Sequence, residues 1–196
     1  MFFENYRNLD IYIDQLVKNL IKDILKFLTD FWINCCEEIL NYIDVDVMLF
    51  WEDTSGKNAS LISPKLFREF IMPCYKRIIN YLKKKGIKNF MVDTDGKINE
   101  LVPLFLEAGI TCIYPLKRQA ENDLLGFRKK YPRMQIMCGF DKNVLSQSKE
   151  QIDKELNIVS EVLKYGDYIL TADYLIPPNV PFENFRYYKN IIKEIL

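Results

Sequence analysis

The chain has 196 residues, with 27 lysines and arginines balanced by 27 aspartates and glutamates, and no histidine. That length supports one sizeable core, as a single domain over residues 1–196, but falls short of the roughly 250 residues typical of a complete eight-stranded β/α barrel. The even charge balance removes the usual electrostatic support for a nucleic-acid or anionic-membrane partner, and the absence of imidazole excludes any mechanism that uses histidine as base, nucleophile or metal ligand. Chemistry is left to carboxylates, tyrosines, lysines, arginines and thiols. No apolar run reaches the ~20 residues of a membrane span, and the N-terminus lacks the pattern of a secretory signal, so a soluble cytoplasmic protein is expected. The five cysteines, an odd number with Cys35 and Cys36 adjacent, read as reduced core residues rather than a disulfide framework.

The first forty-odd residues predict a long helical region, with Ile11, Ile13, Leu16, Leu20, Ile24, Leu28, Phe31 and Trp32 among the apolar residues at helical spacing. Apolar coverage this broad predicts burial against neighbours on more than one side. Val45 to Trp51 is an apolar run of strand length that stops at Glu52 and Asp53. Ser63 then reads as an N-cap with Pro64 at the first helical position, opening a helix toward Gly86 in which Pro73 predicts a kink or break.

The same alternation recurs along the chain. Ile87 to Val92 reads as a strand, Asp93-Thr94-Asp95-Gly96 as a turn and Ile98 to Ala108 as a helix that Gly109 terminates. Ile110 to Tyr114 is the next strand, followed by a helix at Asp123 to Tyr131, a strand at Gln135 to Cys138 and a helix at Lys149 to Lys164. In the last unit the apolar run Ile169 to Ala172 ends at Asp173, Pro177, Pro178 and Pro181 form a stiff loop, and a final helix runs to Ile195. Five apolar strands alternating with helices predict a parallel sheet with right-handed crossovers, that is, an α/β fold.

In such a sheet the C-terminal strand ends meet on one face, where ligand chemistry collects. Those ends carry Glu52 and Asp53, Asp93 and Asp95, Asp141 and Asp173, flanked by Tyr114, Lys117, Arg118 and Lys142. One acid after a strand is ordinary turn chemistry, but acids at four of the five exits point to a shared site. Carboxylates brought together raise one another's proton affinity or call for a cation between them. These acids and the cations that flank them form the candidate site; oxygen donors there would favour Mg²⁺, Ca²⁺ or Mn²⁺ over zinc.

The segments ISPKLFREFIMPCYKRI from Ile62, LVPLFLEAGI from Leu101 and YILTADYLIPPNVPFENF from Tyr168 resemble the C-terminal part of the uroporphyrinogen decarboxylase superfamily, with a match in order and spacing from about residue 41 onward. The resemblance implies a (β/α)₈ TIM-barrel fold, of which the five predicted strands are a partial barrel three strands short. It implies a carboxy-lyase of porphyrin biosynthesis that protonates a pyrrole and releases CO₂ from a tetrapyrrole without a cofactor. The chain is also similar to the superfamily's corrinoid-linked methyltransferase branch, which implies a methylated small molecule and a corrinoid protein or thiol partner. A homodimer is compatible with either; an inactive truncated fragment or a binding module is the non-enzymatic alternative.

The departures from the family pattern are specific. Asp53 stands where decarboxylases carry serine, and Tyr174 where they carry histidine. The opening arginine motif that grips substrate carboxylates and the aspartate that holds the pyrrole N–H groups have no counterpart. Asp93, Asp95 and Asp173 occupy the positions of the methyltransferase zinc ligands, and exchanging soft donors for carboxylates is expected to abolish a thiolate-activating zinc site. With the resemblance, Asp93, Asp95 and Asp173 are the candidate catalytic residues and the ligands of any divalent metal, and Asp53, Tyr174, Arg118, Asp141 and Lys142 the candidate substrate contacts. An acidic rim favours a cationic or amine-bearing substrate over a polycarboxylate unless Lys117, Arg118 and Lys142 compensate.

Overall fold

The computed structural model describes residues 15–196. Helix α1 (Gln15–Leu40) leads into β1 (Val47–Trp51), and strands β2 (Asn89–Asp93), β3 (Cys112–Tyr114), β4 (Gln135–Met137) and β5 (Tyr168–Ile169) follow. All neighbours pair in parallel in the order β1-β2-β3-β4-β5. A strictly sequential parallel order with right-handed crossovers puts every connecting helix on the same side of the sheet. The fold is thus α/β, a five-stranded portion of a TIM-type barrel, with β1 and β5 as its two edges.

The connecting helices are α2 (Met72–Lys84), α3 (Val102–Ala108), α4 (Leu124–Lys130) and α5 (Lys149–Leu163), and α6 (Phe182–Ile195) closes the chain. Their apolar stripes pack on alternate strand positions, Phe50, Phe90, Val92, Ile113 and Ile136, to form the core. The positions between them face the other way. On β1 these are Val47, Leu49 and Trp51, all exposed, with Trp51 82% accessible.

Ser63 does cap the helix that follows it, its hydroxyl accepting from the Leu66 amide at 3.2 Å with Pro64 in the first turn. Pro73 marks an irregularity in that helix: Phe67–Ile71 form a π-helical turn immediately ahead of it, and regular α-helix resumes as α2 with Pro73 in its first turn, so the turn accommodates the missing amide hydrogen. Pro103 likewise sits at the start of α3, which begins at Val102 rather than Ile98. Gly109 ends α3 in the left-handed conformation (φ 105°). β4 stops one residue early because Cys138 has φ 74°, and β5 is shorter than expected, its ladder resuming at the Phe140–Ala172 bridge.

The expected enclosure of α1 is corrected. Its one side packs against α2 through Ile33, Cys36 and Leu40, supported by a Lys22–Glu69 ion pair (3.5 Å) and one between Arg77 and Asp30. Leu20, Ile24, Phe27 and Phe31 on its other side are exposed, because no described element covers that face. Ile11 and Ile13 lie outside the described residues. Among the described residues no helix is long and apolar enough to cross a membrane.

Candidate functional site at the strand C-termini

The exit loops of β1 and β2 are bound to each other by small polar residues. The Thr54 and Thr94 hydroxyls are 2.9 Å apart, and the Thr54 amide donates to Thr94 Oγ1 (3.3 Å). Gly96 lets these loops touch. It has φ 84°, and a Cβ there would fall 2.5 Å from the Ser55 carbonyl oxygen and nearer still to that of Gly56. Gly96→Ala is therefore expected to cost about 1–3 kcal/mol, because a strained conformation and a backbone collision add; thermal melting of the variant against the parent measures it. Buried Asn122 fastens the next loop, its amide donating to the Gly96 and Lys117 carbonyls (2.9 and 2.8 Å) while its oxygen accepts from the Ile98 amide (3.4 Å).

On this frame Asp93 and Asp95 come together. Trp51, Asp93 and Tyr114 occupy one row of the sheet register, and Asp95 follows on the β2 exit. Burial, then the neighbouring charges of Asp95 and Asp53, hold the Asp93 carboxyl above the usual carboxylate range, against the opposing pull of Lys117. Lys117 Nζ sits 2.6 Å from Asp95 Oδ2, and the buried Asp95 Oδ1 has no hydrogen-bond partner among the described residues. The Tyr174 ring is bracketed by two ammonium groups, Lys117 at 4.2 Å and Lys142 at 4.6 Å from its centroid. Tyr114 closes the group; burial, and then the charges of Cys138, Asp93, Tyr174 and Asp95, push its phenol up.

Asp173 belongs to a different cluster. It is 1% exposed, and its two oxygens accept the backbone amides of Arg118 (3.0 Å) and Lys142 (3.2 Å), each the first residue of a 3₁₀ turn, Arg118–Ala120 and Lys142–Ser146. Burial raises its proton affinity even against those two donors. Beside it, buried Glu155 of α5 accepts from the Asp141 amide (3.2 Å) and pairs with Arg118 Nε (3.3 Å); burial raises it too, with Arg118 opposing. Asp141 is a turn cap, taking hydrogen bonds from the Asn143 amide (2.9 Å) and the Gln119 side chain.

Of the residues expected from sequence, the structure thus groups Asp93, Asp95, Tyr174 and Lys142 at the mouth. Asp53 stands exposed at the rim, and Asp173, Arg118 and Asp141 hold the loops beneath. The metal set Asp93, Asp95 and Asp173 is corrected: among the described residues no three Cys, Asp or Glu side chains converge to hold a metal ion, because backbone amides claim the Asp173 carboxylate. Nor do the residues present fit a thiolate-activating zinc. The thiol nearest the site, Cys138, is buried, which pushes it up to about 12, against an opposing hydrogen bond from Thr171.

Asn122, Thr94 and Glu155 were not among the expected site residues. Glu155 had a signal in the sequence, an acid on the buried stripe Ile152, Leu156 and Val159 of α5. Asn122 and Thr94 had none.

A parallel β/α sheet with charged loops at its C-terminal edge defines the class: an α/β domain of the barrel type. The profile of the uroporphyrinogen decarboxylase (URO-D) family matches residues 16–195, and the chain belongs to that family. No curated protein matches it.

Proposed function

We propose that the strand-end site performs a decarboxylation of the kind the family is named for, releasing CO₂ from an acidic pyrrole substrate. The observation that carries this reading is the placement of the Asp93 carboxyl, whose proton affinity burial raises, in one mouth with two ammonium groups, Lys117 and Lys142, that bracket Tyr174. The cations offset the acidic rim and bind a substrate carboxylate. Asp93 gives its proton to a ring carbon, which makes the ring an electron sink. The bond to the carboxylate breaks, its electron pair flows into the ring, and CO₂ leaves. A proton from solvent completes the methyl group, and the ring carbon then returns its proton to Asp93 and restores the pyrrole, so one proton replaces one CO₂ in the net reaction. Asp173 keeps the Arg118 and Lys142 turns in register and acts as a positioning residue.

CO₂ release from uroporphyrinogen by the purified full chain tests the reading; no release above background overturns it. Asp93→Asn is expected to lower turnover by at least about 100-fold, the usual range for a lost general acid, without loss of folding. Stability should move the opposite way. The folded-state pKa of Asp93 lies above the unfolded value near 3.9. Its contribution to stability is therefore intact below about pH 4 and is lost as pH rises through the folded value. At neutral pH the Asn variant is therefore expected to be somewhat more stable than the parent, an effect kept small by solvent screening. Melting curves from acid to neutral pH should show that gain vanish toward about pH 4.

A further inference from the structure

Strand alternation sends Glu52 away from the mouth, onto the helix-facing side of the sheet where β1 meets α1 and α2. Its backbone stays in the ladder, the Glu52 amide donating to the Asp93 carbonyl at 2.8 Å. Its side chain enters a cavity of about 240 Å³ walled by Leu28, Trp32, Phe50, Tyr75 and Ile78. The Tyr75 ring, 3% exposed, packs on Phe50 with centroids 4.8 Å apart. Its hydroxyl is fully buried and lies near the Glu52 carboxylate, but it makes no hydrogen bond of full geometry among the described residues.

Two features of this cavity point to a ligand. A partly buried carboxylate has a phenol and the like charge of Asp53 for neighbours; burial raises its proton affinity against the opposing Tyr75 hydroxyl, and no cation among the described residues accompanies it. The buried Tyr75 hydroxyl at the same spot faces that carboxylate without a hydrogen bond of full geometry. The walls are apolar and aromatic, and the Trp32 indole is half-exposed at the opening. An ammonium group would satisfy Glu52, and aromatic faces favour both a cation and an apolar body beside it.

We infer that the cavity between α1, α2 and β1 is a second ligand site, which binds a small primary amine with its ammonium on Glu52 and its apolar body against Trp32 and Leu28. The site is separate from the strand-end carboxylates and does not depend on the reaction assigned to them.

The chain has two tryptophans, so Trp51→Phe leaves Trp32 as the sole indole reporter. In that background 2-phenylethylamine is titrated against the neutral 2-phenylethanol, with Trp32 emission as the readout. The amine should give a saturable change and bind at least about tenfold more tightly than the alcohol, as a charge-assisted bond requires. Glu52→Gln should erase that preference while leaving alcohol binding in place, and Asp93→Asn should leave amine binding unchanged. No saturable change, equal affinity for amine and alcohol, or a preference that survives Glu52→Gln overturns the inference. If Glu52→Gln fails to fold by circular dichroism, the amine-against-alcohol comparison in the folded background decides alone.

Discussion

Asp173→Leu should cost about 2–5 kcal/mol, because it takes away the buried acceptor of two part-buried backbone amides. In the parent the Arg118 and Lys142 amides reach the Asp173 oxygens at 3.0 and 3.2 Å, and the β5 exit itself is fixed by the Asp173 amide on the Phe140 carbonyl (2.8 Å). Leucine relieves the burial of a carboxylate, which works in its favour. That relief is the smaller effect, since the two amides cannot be replaced along with the acid and both lose their acceptor. Asp173→Asn should lose less, keeping one acceptor oxygen and facing the other amide with an NH₂. The gap between Asn variant and parent should narrow as pH rises from about 4 through the folded-state pKa, because parent stability falls over that window and the variant has no such titration. Denaturant unfolding of both variants over that range is the measurement. If Asp173→Asn melts with the parent at all pH values yet abolishes CO₂ release, Asp173 is a proton donor and not a loop clamp.

Arg128→Met is expected to lower stability by about 3 kcal/mol, or roughly 6–12 °C in Tm for a chain of this size. The Arg128 side chain is fully buried in α4, and its guanidinium donates to the carbonyls of Pro132 (3.0 Å), Met134 (2.9 Å) and Asp167 (2.8 Å). These carbonyls belong to the turns that enter β4 and β5, so one side chain ties two strand starts to one helix. Burial pulls its pKa down, with Asp167 opposing, so desolvation is a real cost in the native state. Replacing a buried ion pair with apolar groups can be neutral when both partners are replaced. Here the partners are backbone carbonyls, which stay, and the loss of three charge-assisted bonds outweighs the relief. Arg128→Lys should fall between the two, because an ammonium lacks the planar fork that reaches three acceptors. Calorimetric melting of the three proteins would show the order parent, Lys, Met; a Met variant as stable as the parent would refute the clamp.

The strand-helix alternation was legible because it is written locally. Apolar runs such as Val47 to Trp51, stopped by charge, and the Ser63-Pro64 start need only their own neighbours to be read. Boundaries were less so. Pro73 and Pro103 shift the starts of α2 and α3, because proline is tolerated in the first turn and excluded further in. Arg128 and Glu155 were legible in principle, as charged residues on the buried stripes of α4 and α5, but their partners were not: a side chain that bonds the Asp167 carbonyl or the Asp141 amide declares nothing about it in sequence.

For the site, sequence determined which residues stand at the strand exits, since that follows from strand length and direction alone. It fixed Asp93 and Asp95 two residues apart and Asp173 at the end of the last strand. Only the tertiary structure decided that the first two share a mouth with Lys117, Lys142 and Tyr174 while the third serves two backbone amides beneath it. It decided equally that Glu52 and Asp53, adjacent in the chain, part company into a cavity under α1 and an exposed rim. The physical reason is common to both cases. A side chain's charge is a property of the residue, whereas its proton affinity and partners depend on how deeply it is buried and on which distant loops fold over it.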